Sequence, residues 1–447
     1  MNLIVSDKQR IILGLGKTGY SCVKFLSEKN IPVQVWDTRK NPPFLDECRK
    51  NFPNVNIILG PLNAEQLSRF DQIVISPGLP MNDPAIVYAK QQGSEVIGDV
   101  DLFVQYCNGK IVAITGSNAK STVTSMVGHL LESIGQKVKV GGNLGVPMLE
   151  LLDIDTQVYI LELSSFQLET THELNADVAT VLNVSEDHMD RYDSFSQYYM
   201  AKHRVFNGCK SIVVNRDDAL SQPLVSDKYP KITFSKNSPD INQYGLIELD
   251  SAMYLAKGFN PIIAVSELNL MGRHNYCNYL AALAICDCLK FEPKQFVSAL
   301  SNFKGLAHRC EKIQTIDDVI FINDSKATNV GATLAAIDGL SDKNIHLILG
   351  GVGKGADFSA LKPAIEKQVK SVAIFGESKN ELFELLKQNV NVNVTLQNDL
   401  KSALNFLFNT AKPNDVILLS PACASFDMFE NFEDRGSKFV ELVGQLQ

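Results

Sequence analysis

Lys120 and Ser121 stand side by side in ITGSNAKSTV, Ile114 to Val123, after an apolar run and before a helical pattern. A lysine followed by a hydroxyl residue at the start of a helix suits a phosphate cradle. The lysine brings charge to the β and γ phosphates and the hydroxyl offers a ligand for Mg²⁺. The backbone N–H groups and the helix dipole face the anion. The general pattern G-x-x-x-x-G-K-[ST] is incomplete, because Ile114 occupies the first glycine position and Ala119 the second. Ala119 costs nothing if its φ is negative, and about 1 kcal/mol if the loop needs φ > 0. The plainer reading is a strand-to-helix turn with an exposed lysine.

Other residues could join that chemistry. Glu162 closes the apolar run Val158–Leu163 and is followed by Ser164 and Ser165. One carboxylate delivered by a strand beside a phosphate loop is a common way to hold Mg²⁺, although a surface glutamate looks the same. The run Val178–Asn183 leads into NVSEDHMDRY, where His188 stands among Asp187 and Asp190. The C-terminal end of a parallel strand is where open sheets bind ligands. Lys202, in YYMAKHRVF, falls on a helix near Tyr198, Tyr199, Val205 and Phe206 and by itself reads as a solvated helix lysine. Near the start, GLGKTG sets Gly14, Gly16 and Gly19 in G-x-G-x-x-G spacing, and the next strand ends in Asp37. That is the dinucleotide fingerprint, so an NAD-dependent dehydrogenase is one reading. The same physics admits any nucleotide diphosphate, a UDP-sugar included, or a tight turn with no ligand. SPGLP, Ser76–Pro80, adds a second turn to that crevice.

These residues need a scaffold, and short β-rich runs alternate with helix-length segments almost throughout. That pattern predicts an α/β fold with mainly parallel sheets. A first series has strands at Arg10–Leu15, Val33–Asp37, Ile57–Gly60, Asp71–Ser76 and Glu95–Gly98. A second begins at Lys110–Thr115 and runs through Ser211–Asn215, with short strands and turns over Tyr244–Val265 that make its sheet mixed. A helix is expected over Asn275–Leu289. The third series has strands at Val319–Asn323, His346–Gly350, Val372–Phe375, Val392–Leu396 and Val416–Ser420. Three domains follow, 1–98, 99–306 and 307–447. The helix after the phosphate loop buries Val123, Met126, Val127, Leu130, Leu131 and Ile134 on one face. Composition sets the bounds: 447 residues, a net charge of −8 and nine unpatterned cysteines. The charge argues against nucleic acid as the main partner. No run reaches membrane-span length, the N-terminus is too charged for a signal peptide, and the cysteines suit a reducing cytoplasm.

Taken in order, GSNAKST (Gly116–Thr122), GGNLG (Gly141–Gly145), LELSSFQLE (Leu161–Glu169), NVSEDHMDRY, GRHNYCN (Gly272–Asn278) and AHRCE (Ala307–Glu311) resemble the signatures of the Mur ligase family, amide-forming ATP-dependent enzymes of peptidoglycan assembly. That family does not keep the first loop glycine, so Ile114 is no departure, whereas Ala119 is one. INDSKATN (Ile322–Asn329), GGVGKGADF (Gly350–Phe358) and LLSPACASFDMFENFEDRG (Leu418–Gly436) are similar to the branch that adds D-glutamate.

The resemblance implies a Rossmann-like N-terminal domain, a central P-loop-type ATPase domain with a mixed sheet, and a Rossmann-like C-terminal domain. It implies ATP held by Gly116, Ser117, Asn118, Ala119, Lys120, Ser121, Thr122, Asn275, Asn278, Arg309 and Asp324. The GLGKTG crevice would hold the UDP-muramoyl substrate through Leu15, Gly16, Lys17, Thr18, Asp37, Thr38, Arg39, Ser76, Pro77 and Gly78, with Asn143 and His188 near its reacting end. D-glutamate would meet Lys326, Thr328, Lys354, Ser425, Phe426 and Phe432. Two Mg²⁺ ions would be served by Ser121, Glu162, His188 and Lys202, the last as a carbamate made with CO₂. Lys120, His188 and Lys202 are the catalytic candidates, the partners are small molecules, and the chain is expected to be a monomer. A dehydrogenase, a non-catalytic nucleotide binder, and another Mur-type or folylpolyglutamate-type ligase remain as alternatives.

Overall fold

The structure, a computed structural model, describes residues 8–446 apart from 190, 224–228, 271, 341–342 and 388–391, so Asp190 lies outside the described residues. Three sheets follow one another along the chain. The first holds parallel strands Arg10–Leu13, Gln34–Asp37, Ile57–Leu59, Gln72–Ile75 and Glu95–Ile97, in the spatial order third, second, first, fourth, fifth. Its strands are apolar on both faces, as a sheet covered by helices on each side requires. Ile11, Leu13 and Trp36 belong to one buried layer, Ile12, Val35 and Val74 to the other. The GLGKTG turn depends on its glycines. Gly14 has φ +89°, and a Cβ on Gly19 would lie 1.8 Å from the Gly14 carbonyl oxygen.

The central sheet is mixed, as the sequence predicts. Strands Val138–Gly142, Val158–Glu162, Lys110–Thr115, Val178–Val181, Ile212–Asn215 and Lys231–Phe234 lie parallel in that spatial order. Tyr244–Leu249, Ala252–Lys257 and Asn260–Ala264 then form an antiparallel meander at the far edge. Helices Lys120–Ser133 and Arg273–Cys288 cover one face, where Val123, Met126, Val127 and Leu130 pack with Leu280 and Leu283. In the third sheet Glu311–Ile316 runs antiparallel to Val319–Asn323, which is followed by parallel Val416–Leu419, Ile345–Gly350, Val369–Phe375 and Asn393–Leu396.

The joints between domains differ in kind. Buried side chains of the first two domains form one continuous cluster, in which Phe25 and Leu26 of the first join Phe103 and Leu149 of the second. The Phe25 and Tyr106 rings meet edge-on at 4.8 Å across this joint. The C-terminal domain has apolar clusters of its own on the two faces of its sheet. It meets the central domain through polar side chains and through helix Val330–Gly339, where Gly339 leaves room for His274: a Cβ there would lie 2.3 Å from the imidazole Nδ1.

Candidate active site

Strand Lys110–Thr115 delivers the loop Gly116–Ala119 to the N-terminus of helix Lys120–Ser133. Asn183 clamps this loop, accepting from the Ser117 amide (2.9 Å, by its carbonyl) and from the Asn118 amide (2.8 Å, by its side chain). The Ser117 hydroxyl donates to Ser185 O at 2.8 Å, and Tyr198 OH lies 2.9 Å from it. The loop and the His188 segment are thus held in register. Ala119 takes the left-handed conformation, φ 66° and ψ −3°. It is therefore strained by about 1 kcal/mol. His188 (φ 58°) and Lys354 (φ 53°) share that rare conformation and line the same cavity. Backbone strain of this sort concentrates at functional sites.

Two lysines converge on one carbonyl. Lys120 Nζ donates to Gly116 O at 2.8 Å and Ser117 O at 3.0 Å, and Lys202 Nζ donates to the same Gly116 O at 3.0 Å. Lys202 is 2% exposed. The expectation of a solvated helix lysine is corrected here: helix Phe195–His203 turns it inward beneath the loop, 4.4 Å from the Tyr198 ring. Burial, and then the neighbouring Lys120 charge, drive its pKa well below the ordinary lysine value. Burial lowers that of Lys120 as well, with Glu162 and Asp187 pulling the other way.

Glu162 ends its strand 2% exposed. Its Oε1 accepts from Asn143 Nδ2 at 2.7 Å, while Oε2 is buried with no hydrogen-bond donor. A buried carboxylate oxygen without a donor is the kind of atom a cation satisfies. Among the described residues no three His, Cys, Asp or Glu side chains converge as a ready-made metal cage. A Mg²⁺ ion here would draw ligands from phosphate oxygens and the Ser121 hydroxyl too, which is how that ion is usually held. Arg309 reaches in from the C-terminal domain to donate to Ser121 Oγ at 2.6 Å.

Two cavities adjoin at the loop, of about 380 and about 420 Å³, sharing Asn118, Ala119, Arg309 and Lys326 in their walls. The first also contains Thr122, Asn275, Asn278 and Asp324. Asp324 accepts from the Cys310 amide and the Ser420 hydroxyl, and burial lifts its pKa to about 6. The second gathers Ser117, Lys120, Ser121, Asn143, Glu162 and His188 opposite Thr328, Lys354, Ser425, Phe426 and Phe432. Lys326 Nζ sits 3.8 Å above the Phe432 ring. Burial, followed by the charges of Arg309 and Lys120, pushes its pKa down to about 8. Gly116, at the start of the loop, and Lys202, beneath it, stand in neither wall.

The N-terminal candidates are not brought into these cavities. Leu15, Gly16, Lys17 and Thr18 form the turn and first residues of helix Lys17–Glu28, and Ser76 Oγ donates to Gly14 O at 3.1 Å. Both Asp37 oxygens are engaged, by the Leu15 amide at 2.6 Å and by Arg39. Thr38 follows in the same turn. Lys17 reaches across to donate to Gly145 O in the GGNLG loop.

Several residues of the site escape a motif reading. Asp187 pairs with Lys354 at 3.2 Å and accepts from Asn329 Nδ2 at 3.3 Å, joining the central and C-terminal domains. Burial would raise its pKa, but His188, Lys354 and Lys120 together hold it below the usual carboxylate range. Arg435 is completely buried and donates to Ser325 O, Ser325 Oγ and Cys423 O, behind Lys326 and Ser425. Asp187 lies within NVSEDHMDRY and Arg435 within LLSPACASFDMFENFEDRG, yet only their folded neighbours reveal what they hold.

Comparison with known proteins agrees with this layout. Residues 8–98 match the Mur ligase MurD-like N-terminal domain, 114–286 the Mur ligase middle domain, and 308–423 the Mur ligase glutamate ligase domain. The chain is 47% identical over 451 residues to the UDP-N-acetylmuramoylalanine–D-glutamate ligase of Pseudomonas aeruginosa, covering all of both chains. It is 46% identical to the protein of that name from Acinetobacter baylyi, with 99% of this chain and 100% of the relative covered. A pseudomurein peptide ligase type C from Methanothermus fervidus shares the fold, with a TM-score of 0.61 over 99% of this chain and 100% of the other at 19% identity. With three successive domain matches and nearly half of its residues shared end to end with such relatives, the chain belongs to the Mur ligase family.

Proposed function

We propose that this chain is the ATP-dependent ligase that joins the amine of D-glutamate to the alanyl carboxylate of UDP-N-acetylmuramoyl-L-alanine, releasing ADP and phosphate, in cytoplasmic synthesis of peptidoglycan precursors. The relatives carrying that name support the substrates. The observation that carries the reading is the 420 Å³ cavity in which the phosphate loop faces Lys326, Lys354, Ser425 and Phe432. No helix among the described residues is long and apolar enough to cross a membrane. All the proposed groups come from one chain, so we take a monomer as the working unit and domain boundaries at 98/99 and 306/307.

A carboxylate is a poor electrophile, and phosphorylation by ATP converts it to an acyl phosphate that an amine can attack. Adenosine would occupy the cavity with Asn275, Asn278 and Asp324, and the phosphates the loop Gly116–Thr122. Lys120 would leave its carbonyls to meet the β and γ phosphates, and Arg309 would leave Ser121. Glu162, Ser121, His188 and carbamylated Lys202 would hold two Mg²⁺ ions. Mg²⁺ in such a site neutralises charge on the transferring phosphoryl oxygens. Asn143 and His188 would place the alanyl carboxylate in line with the γ-phosphorus. Two lysines and the Ser425 and Thr328 hydroxyls suit a dianionic amino acid, with Phe426 and Phe432 as its apolar walls.

Lys202 has a physical reason to react. Its lowered pKa favours the neutral amine, the form that adds to CO₂ to give a carbamate and one proton. UDP would lie at the N-terminus of helix Lys17–Glu28. Asp37 would act by holding Leu15 and Arg39. An NAD-dependent dehydrogenase is not favoured, since both Asp37 oxygens are already occupied and the cavity would have no task.

Oxygen labelling tests the acyl phosphate. With ¹⁸O in the alanyl carboxylate, one labelled oxygen appears in the released phosphate. Unlabelled phosphate from a productive turnover would refute that intermediate.

A further inference from the structure

Arg191 has no part in the scheme above, yet its side chain donates three hydrogen bonds from the central domain to the first. Its guanidinium donates to three successive carbonyls of one turn, Pro77 O at 3.2 Å, Gly78 O at 3.3 Å and Leu79 O at 3.0 Å. Its own amide donates to His188 O at 2.9 Å, closing the turn that carries His188. The guanidinium lies 4.6 Å from the centre of the Phe166 ring. Phe166 in turn meets His188 edge-on at 4.9 Å and stacks on Tyr192 at 5.8 Å. Tyr192 packs on Tyr198, 5.3 Å away, whose hydroxyl touches Ser117 in the phosphate loop. An unbroken set of contacts therefore runs from the Ser76–Pro80 turn to both His188 and the loop.

We propose that Arg191 is a positioning residue which fixes the Ser76–Pro80 turn against the His188 segment and so sets where the sugar end of the nucleotide-sugar substrate lies relative to the transferring phosphate. The proposal rests on the ligase reading above. That substrate is bound in one domain and reacts in another, so its reach must match the span between them. In such reactions a displacement of about 1 Å costs about a hundredfold in rate. Only arginine supplies a planar fork that spans several carbonyls; a lysine ammonium is a point charge. The two domains already share an apolar core, so Arg191 is not required to hold them together.

The test uses the full chain with Arg191→Lys and Arg191→Met, comparing kcat, the KM of each substrate, UDP binding and thermal stability. The kcat is expected to fall about tenfold in both variants, a small part of the positional effect above. The KM values for ATP and D-glutamate and the affinity for UDP stay within about twofold and stability is kept, as for a loss of alignment rather than of binding. Full rescue by lysine, an unchanged kcat, or an equal rise in KM for all three substrates with lost stability would each overturn the role of Arg191. If the unaltered enzyme fails to use the muramoyl substrate at all, the ligase reading falls and takes this proposal with it.

Discussion

Lys202 and Lys120 compete for the Gly116 carbonyl, and neither ammonium is comfortable there. That tension would favour the proposed moves, Lys120 toward phosphate and Lys202 into a carbamate. Lys202→Ala should abolish turnover, and short carboxylates added in solution should restore part of it; full activity without rescue would remove its role. Lys326 offers a pH test. With a pKa of about 8 it loses its proton as pH rises through that value. A dianionic ligand then loses a charged partner, so the KM for D-glutamate should rise between about pH 7 and about pH 9. Lys326→Arg, which does not titrate there, should flatten the rise, and a flat profile in the unaltered enzyme would contradict the assignment. Ala119 now has a defined strain. Ala119→Gly relieves about 1 kcal/mol of it and adds unfolded-chain entropy of similar size, so urea unfolding should show a gain below about 1 kcal/mol. Activity should stay within about twofold, because the loop path is unchanged.

The elements carry these residues with uneven visibility. Strand Val158–Glu162 and helix Lys120–Ser133 were legible because burial writes a plain apolar pattern. Val138–Gly142, Lys231–Phe234 and Glu311–Ile316 were not. VKVGG ends in two glycines at a sheet edge, KITF is too short to show a period, and EKIQTI is a partly exposed edge strand rich in polar residues. The loops around the proposed D-glutamate site are a further case, since they gain their shape from Arg435 rather than from any local pattern. Arg435→Met would leave the Ser325 and Cys423 carbonyls without that donor. At about 1–3 kcal/mol for each buried group left unpaired, the C-terminal domain should lose ~3 kcal/mol in urea unfolding. The D-glutamate KM should rise with it. Unaltered stability would show that water replaces the guanidinium.

At the scale of the whole molecule, a shared apolar core unites the first two domains while polar contacts carry much of the third domain's joint. Lys354 pairs with Asp187 and Arg309 with Ser121, contacts that ATP and D-glutamate would have to part. Binding should therefore move the C-terminal domain. X-ray scattering is expected to show a changed radius of gyration with an ATP analogue and the muramoyl substrate; identical envelopes would contradict this. The order of the domains and the loop residues could be read from sequence because each motif is local. The Asp187–Lys354 and Arg191–Pro77 contacts could not, since they join residues far apart in the chain that only the folded domains bring together. The central claim is tested most directly by phosphate release from ATP, measured with each substrate omitted in turn. The account predicts release only when UDP-N-acetylmuramoyl-L-alanine and D-glutamate are both present; equal release with L-glutamate, or with either substrate left out, would contradict it.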